Sequence, residues 1–184
     1  MAHFPMFVDL EGKEVLIIGS GHHFEEKRQK LIPFGCRIHQ VDTELFEEEM
    51  LNGMLVMVIL ADRHHPRNGE IARQCRERHI PVNAVDDPPL CDFQFPALIR
   101  REGLTVAFAT DGKAPAVSRY LREELEAQLP VDTEGLLQWA SALTQQLRLR
   151  IPDYHRRAEL LNRMIRTAFS LGRPLTEAEV DSFV

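Results

Sequence analysis

The stretch MLVMVILAD, residues 54–62, is apolar at nearly every position and has no face to give to water. A half-buried strand would alternate apolar and polar residues, so this one must be covered on both sides, the condition of a central strand in a parallel sheet flanked by helices. Three more short runs suit the same sheet: EVLIIG (14–19), RIHQVD (37–42) and IPVNAVD (80–86). Between the first two, charged and apolar residues alternate at helical spacing from Glu25 to Phe34. Pro33 shortens the last turn there, and Gly35 closes it. NGEIARQCRER (68–78) puts Ile71, Ala72 and Cys75 on one face of another helix, and TELFEEEMLNGM (43–54) reads as a short one. Strands alternating with helices in this way predict an α/β fold, an open Rossmann-like parallel sheet with right-handed crossovers.

The texture changes at Pro96. FPALIRREGLTVAFAT holds two short strands around Glu102 and Gly103, a hairpin rather than another strand–helix–strand unit. Pro115 stands where a first-turn proline belongs, and the helix after it runs to Pro130. Asp132 or Thr133 caps the next, in which Leu136, Leu137, Ala140, Leu143 and Leu147 keep helical spacing. A helix from Pro152 through Phe169 is closed by Gly172, and Thr176 with Glu179 forms a capping box for a final short helix. Three modules are expected: 1–95, 96–130 and a helical 131–184.

A net charge of −6 argues against a nucleic-acid binder or an anionic-membrane binder, either of which needs a basic face. No segment offers the roughly 18 uncharged apolar residues of a membrane span, and the first residues carry no export-signal pattern. Cys36, Cys75 and Cys91 lie far apart without zinc-ligand spacing, so neither a disulfide framework nor a metal site is expected, and the chain reads as cytoplasmic. Adjacent histidines such as His64 and His65 rarely chelate one ion.

Gly19-Ser20-Gly21 supplies the first two glycines of the G-x-G-x-x-G dinucleotide loop, one for the tight turn and one for backbone approach to a pyrophosphate. His22 and His23 follow as candidate phosphate donors. The third position is Phe24, which either pushes the helix outward or turns its ring into the core. Asp42 closes the second strand where a carboxylate would hold the ribose of NAD and disfavour NADP, and Asp62 closes the third strand at the same crevice. On its own, this loop fits a plain strand end with a solvated acid as well as it fits NAD. Asp86 and Asp87 likewise fit a turn before Pro88 and Pro89.

The segment IPVNAVDDPPLCDFQFPALI (80–99), with FPMFVDLEGKEVLIIGSG before it and LTVAFATDGKAPAVSRYLREELE after it, resembles the precorrin-2 dehydrogenase / sirohydrochlorin ferrochelatase family, the N-terminal module of siroheme synthase. The resemblance spans residues 4–130 with one gap, because the family places a further strand between Asp42 and Leu55. It implies NAD-dependent oxidation of precorrin-2 to sirohydrochlorin, with Asp86 as the catalytic carboxylate. In some members ferrous iron is also inserted as a chelatase substrate. It implies a homodimer built by the hairpin and helix of 96–130. A polyanionic tetrapyrrole substrate would be met by Arg100, Arg101, Lys113 and Arg119 and by the turn at Thr110. The shortened segment also leaves open a tetrapyrrole- or nucleotide-binding module, a regulator or partner subunit, without the redox step.

Overall fold

The computed structural model describes residues 4–184, and the chain divides into two compact units, Met1–Phe95 and Pro96–Val184. The first unit is a parallel sheet of four strands: β1 (Glu14–Ile18), β2 (Arg37–Val41), β3 (Leu55–Leu60) and β4 (Val82–Ala84), in the order β2-β1-β3-β4. Helix α1 (Gly21–Leu31) links β1 to β2, and α2 (Asn68–Glu77) links β3 to β4. The two inner strands are the two most apolar runs. Val15, Ile17, Ile18, Val58, Ile59 and Leu60 have no exposed surface, and each such side chain contributes about 1.5–3 kcal/mol by leaving water.

This order is the doubly wound 3-2-1-4-5 with its outermost strand, and the helix leading to it, removed. Two single 3-10 turns, Thr43–Leu45 and Glu48–Met50, stand where the sequence suggested a short helix. Their carbonyls are drawn outward. The Arg67 guanidinium donates to the backbone oxygens of Thr43 (2.6 Å), Glu44 (3.2 Å) and Phe46 (2.9 Å), and Phe46 and Leu51 drop into the core between β3 and α2. Helix α1 begins at Gly21, four residues ahead of the expected Glu25, because the glycine turn feeds straight into it. At its other end the chain tightens into a 3-10 turn, Ile32–Phe34, around Pro33, and Gly35 closes it.

In the second unit, β5 (Ala97–Arg101) and β6 (Leu104–Phe108) pair antiparallel around the Glu102-Gly103 turn. Four helices follow: α3 (Pro115–Gln128), α4 (Thr133–Arg150), α5 (Tyr154–Leu171) and α6 (Glu177–Asp181). Pro115 opens α3. The Asp132 carboxylate caps α4 by accepting from Gly135 N–H, and Asp153 caps α5 by accepting from Arg156 N–H, two residues after the expected start at Pro152. Gly172 ends α5, and Thr176 with Glu179 forms the reciprocal box at α6. Helices α4, α5 and α6 enclose Leu136, Leu143, Leu147, Leu160, Met164 and Val180 in a core of their own. Among the described residues no helix is long and apolar enough to cross a membrane.

Candidate functional site

Strand β1 leads outward to β2, whereas β3 leads the other way to β4, so the order of the sheet reverses between β1 and β3. In open α/β sheets the crevice for a ligand lies beyond the carboxyl ends of the strands at such a reversal. Both loops there are tightly held. Ala61 N–H donates to Ile18 O (2.7 Å) and Gly19 N–H to Val41 O (2.8 Å). Gly19 sits at φ +116, and a Cβ there would lie 2.7–2.8 Å from the side chain and backbone nitrogen of Asp62. Gly21, at φ +73, has nothing within 4 Å of the place where a Cβ would stand. One glycine is closed in and the other faces open space, as the turn and the pyrophosphate approach respectively require. Helix α1 starts at this open glycine with no acidic residue in its first turn, so its unpaired N–H groups and dipole favour an anion.

The flanking residues divide by role. Asp62, expected to bind the cofactor, also shapes the turn: its Oδ1 accepts from Ser20 N–H (3.1 Å) and its Oδ2 from the Thr43 hydroxyl (2.7 Å). Asn68 in turn donates to the Asp62 carbonyl (2.8 Å). The Asp42 carboxylate, at the end of β2, is exposed and makes no hydrogen bond among the described residues. His22 is exposed beside the glycine turn; His23 Nδ1 is buried without a hydrogen-bond partner among the described residues, 3.9 Å from Glu26. Phe24 resolves the defect in the glycine motif by turning its ring onto the core that holds Val15, Ile17, Phe93 and Phe95. Lys27, on the same helix, lies 4.9 Å above the Phe95 ring with its side chain only 13% exposed. Burial pushes its ammonium pKa down, against the pull of Glu26 and Asp86.

The segment after β4 returns upon that strand. Asp92 accepts from Val82 N–H (3.1 Å) and from Arg76 Nε (2.9 Å), the Cys91 thiol bridges the backbone N–H and carbonyl of Ala84 (3.2 Å each), and Asn83 donates to Phe93 O (2.9 Å). Burial pushes the Cys91 thiol up, keeping it protonated and able to donate. Most of NAVDDPPLCDF is therefore a clasp. The residue it presents is Asp86, at φ +57, its side chain 54% exposed at the same carboxyl edge as the glycine turn. Its Oδ2 lies 3.1 Å from Arg63 Nε, in the loop after β3.

The candidate substrate cations belong to the second unit. The Arg101 guanidinium, expected to meet the substrate, donates to the carbonyls of Pro130 (2.9 Å) and Glu126 (3.3 Å) at the end of α3 and so also supports the fold. Arg100, Lys113 and Arg119 are exposed. The Thr110 hydroxyl accepts from Ala114 N–H (3.3 Å), which shapes the turn that leads into α3. Among the described residues no three His, Cys, Asp or Glu side chains are grouped to hold a metal ion. His64 and His65 diverge, one toward Arg63 (3.2 Å) and the other toward Glu44 (3.1 Å).

The model of a family described as "Putative NAD(P)-binding" matches residues 6–97, half of the 184-residue chain. The chain belongs to this NAD(P)-binding family. A siroheme synthase of Pseudomonas aeruginosa (strain LESB58) is 32% identical over 175 residues, which cover 85% of this chain and 38% of that protein. Siroheme synthase 1 of Aeromonas salmonicida (strain A449) is 31% identical over 198 residues, covering 97% and 42%. The chain thus spans about two fifths of the length of these curated relatives. The solved structure titled "SirC, precorrin-2 dehydrogenase" superposes with a TM-score of 0.64 at 18% identity, covering 98% of this chain and 96% of that one, and so shares the fold. The resemblance read from the clasp segment is borne out by these relatives.

Within the NAD(P)-binding unit, sequence reasoning missed Arg63, Arg67 and Thr43, which join the glycine turn, the shortened connection and Asp86. No periodicity marks them, since each acts across loops distant in sequence.

Proposed function

We propose that the chain oxidises precorrin-2 to sirohydrochlorin with NAD as oxidant. The single observation that supports this most is the placement of an open glycine turn at a helix N-terminus and an outward-facing carboxylate, Asp86, along one edge of one parallel sheet. The residues present fit the dinucleotide: Gly21 leaves room for a pyrophosphate, the first N–H groups of α1 are free of acidic competitors, and Asp42 is open to ribose hydroxyls. When bound, NAD supplies the hydride acceptor. The tetrapyrrole loses a hydride and a proton, and Asp86 takes the proton as general base. Arg100, Lys113 and Arg119 meet the carboxylates of the substrate, and Ser20, His22 and His23 flank the phosphates.

The same reading assigns residues 1–95 to NAD binding, 96–130 to a homodimer contact and 131–184 to a helical domain, in a cytoplasmic protein. The exposed Val117, Tyr120 and Leu121 on one face of α3 support the dimer assignment, and sedimentation of a Tyr120→Arg variant as a monomer tests it. The central test is anaerobic incubation of the protein with precorrin-2 and NAD, followed by absorption spectroscopy. Sirohydrochlorin forms with the native chain and not with Asp86→Asn. Tight tetrapyrrole binding with no oxidation would instead mark a binding module. Adding ferrous iron to the product reads out chelatase activity in the same cuvette.

A further inference from the structure

The loop after β3 touches both halves of the site through adjacent residues. Asp62 holds the Ser20 N–H of the glycine turn, and Arg63, the next residue, holds the Asp86 carboxylate. The contact is an ion pair with one oxygen: Arg63 Nε lies 3.1 Å from Oδ2 of Asp86, and no N–H among the described residues donates to either oxygen. The Arg63 Nε–H itself donates to His64 Nε2 (3.2 Å), which holds the guanidinium in place beside Asp86. Two non-glycine residues in left-handed backbone, His64 (φ +55) and Asp86 (φ +57), thereby converge on one guanidinium from neighbouring loops. Such conformations cost energy and persist where the surroundings enforce them.

Stability does not account for this arrangement. The Arg63 and Asp86 side chains are 56% and 54% exposed, and an ion pair in that much water adds little to folding. What the pair does is orient. A permanent cation beside one oxygen biases the carboxylate toward the orientation that keeps that oxygen near the guanidinium. A general base needs that: one lone pair at a fixed position, within reach of the proton it takes.

We infer that Arg63 is a positioning residue for Asp86, fixing one carboxylate oxygen so that the other is presented to the substrate. The inference rests on the reading of Asp86 as the base. Because the contact is the attraction of one cation for one oxygen rather than a two-pronged fork, lysine can replace it in part, which a bidentate site would not allow.

The experiment has two arms. In the first, the native chain, Asp86→Asn, Arg63→Gln and Arg63→Lys are compared in precorrin-2 oxidation under saturating NAD. Arg63→Gln is expected to lower kcat by about 10- to 100-fold while KM for both substrates stays within about twofold, and Arg63→Lys to restore most of the rate. In the second, the Arg63 Nε–Hε resonance is followed in 15N-labelled protein, assigned by its disappearance in Arg63→Lys. It is expected to shift in Asp86→Asn. If the resonance ignores Asp86→Asn, the contact does not exist and the inference is overturned whatever the kinetics. If the native chain oxidises precorrin-2, Asp86→Asn does not, and Arg63→Gln keeps the native kcat, the inference falls and the enzymatic reading stands. If the resonance responds but the native chain oxidises nothing, the enzymatic reading falls and the positioning role goes with it.

Discussion

The hydrogen bonds that shape the glycine turn and the connection after β2 join residues far apart in sequence, whereas those that cap the helices α4, α5 and α6 join near neighbours. Asp62 reaches back 42 residues to Ser20 and 19 to Thr43, and Arg67 reaches 24 to the Thr43 carbonyl. Asp132, Asp153 and Thr176 each act three residues ahead of themselves. The difference teaches where damage spreads. A lost cap frays one helix end, but a lost loop-to-loop bond loosens a turn, the turn beside it and the ligand site that both frame.

The comparison is sharpest at the glycines. Gly19→Val drives a side chain into Asp62, including its backbone, at a φ that L residues rarely adopt. It should cost about 3 kcal/mol or more and abolish NAD binding, as read by denaturant unfolding and calorimetric titration. Gly21→Ala meets open space and pays only for its left-handed backbone, about 1–2 kcal/mol. Arg67→Ala comes next. With three carbonyls of the 43–46 turn left without their donor, stability should fall by about 1.5–3 kcal/mol and NAD affinity should fall with it, since Thr43 supports Asp62. Equal NAD affinity in that variant would break the claim that the loops are coupled.

Asp132→Ala removes one cap, at a cost of about 1 kcal/mol confined to α4, with NAD titration unchanged. The smallest effect at neutral pH belongs to Glu179. Its hydrogen bonds from Arg173, and then the Thr176 backbone, depress its pKa from 4.5 to about 2. A carboxylate whose folded pKa is lowered stabilises fully above its unfolded value and loses that contribution as pH falls through the folded value. The docking of α6 should therefore weaken between about pH 4.5 and 2. The fluorescence of Trp139, the one tryptophan, reports on it because Trp139 packs against the cluster that holds Val180, and Glu179→Gln should remove the pH response.

The same contrast explains what the sequence revealed. The caps at Asp132 and Thr176, the closing Gly172 and the apolar run of β3 are short-range patterns with a known spacing, and they are readable as such. So is the glycine turn. The path of residues 43–54 is not, because acidic residues at helical spacing suggest a helix while Arg67, a distant residue, takes the carbonyls a helix would have used. Asp62 and Arg101 are legible as charges near a crevice or hairpin, but their partners, Ser20 and Thr43 for one and Pro130 for the other, lie too far along the chain for any spacing to mark them. Asp86 stands out because it lies in a segment where Asn83, Cys91 and Asp92 are engaged with backbone groups.

Removing one strand from the doubly wound order leaves β2 outermost, with no neighbour on its far side. A strand in that position offers a row of backbone donors and acceptors to any other chain that drifts by, the seed of aggregation. Here it is five residues long and carries Arg37 and His39 on exposed positions. A short strand with a charged arginine on it is a poor template for such pairing, so Arg37→Val is the substitution expected to expose the edge.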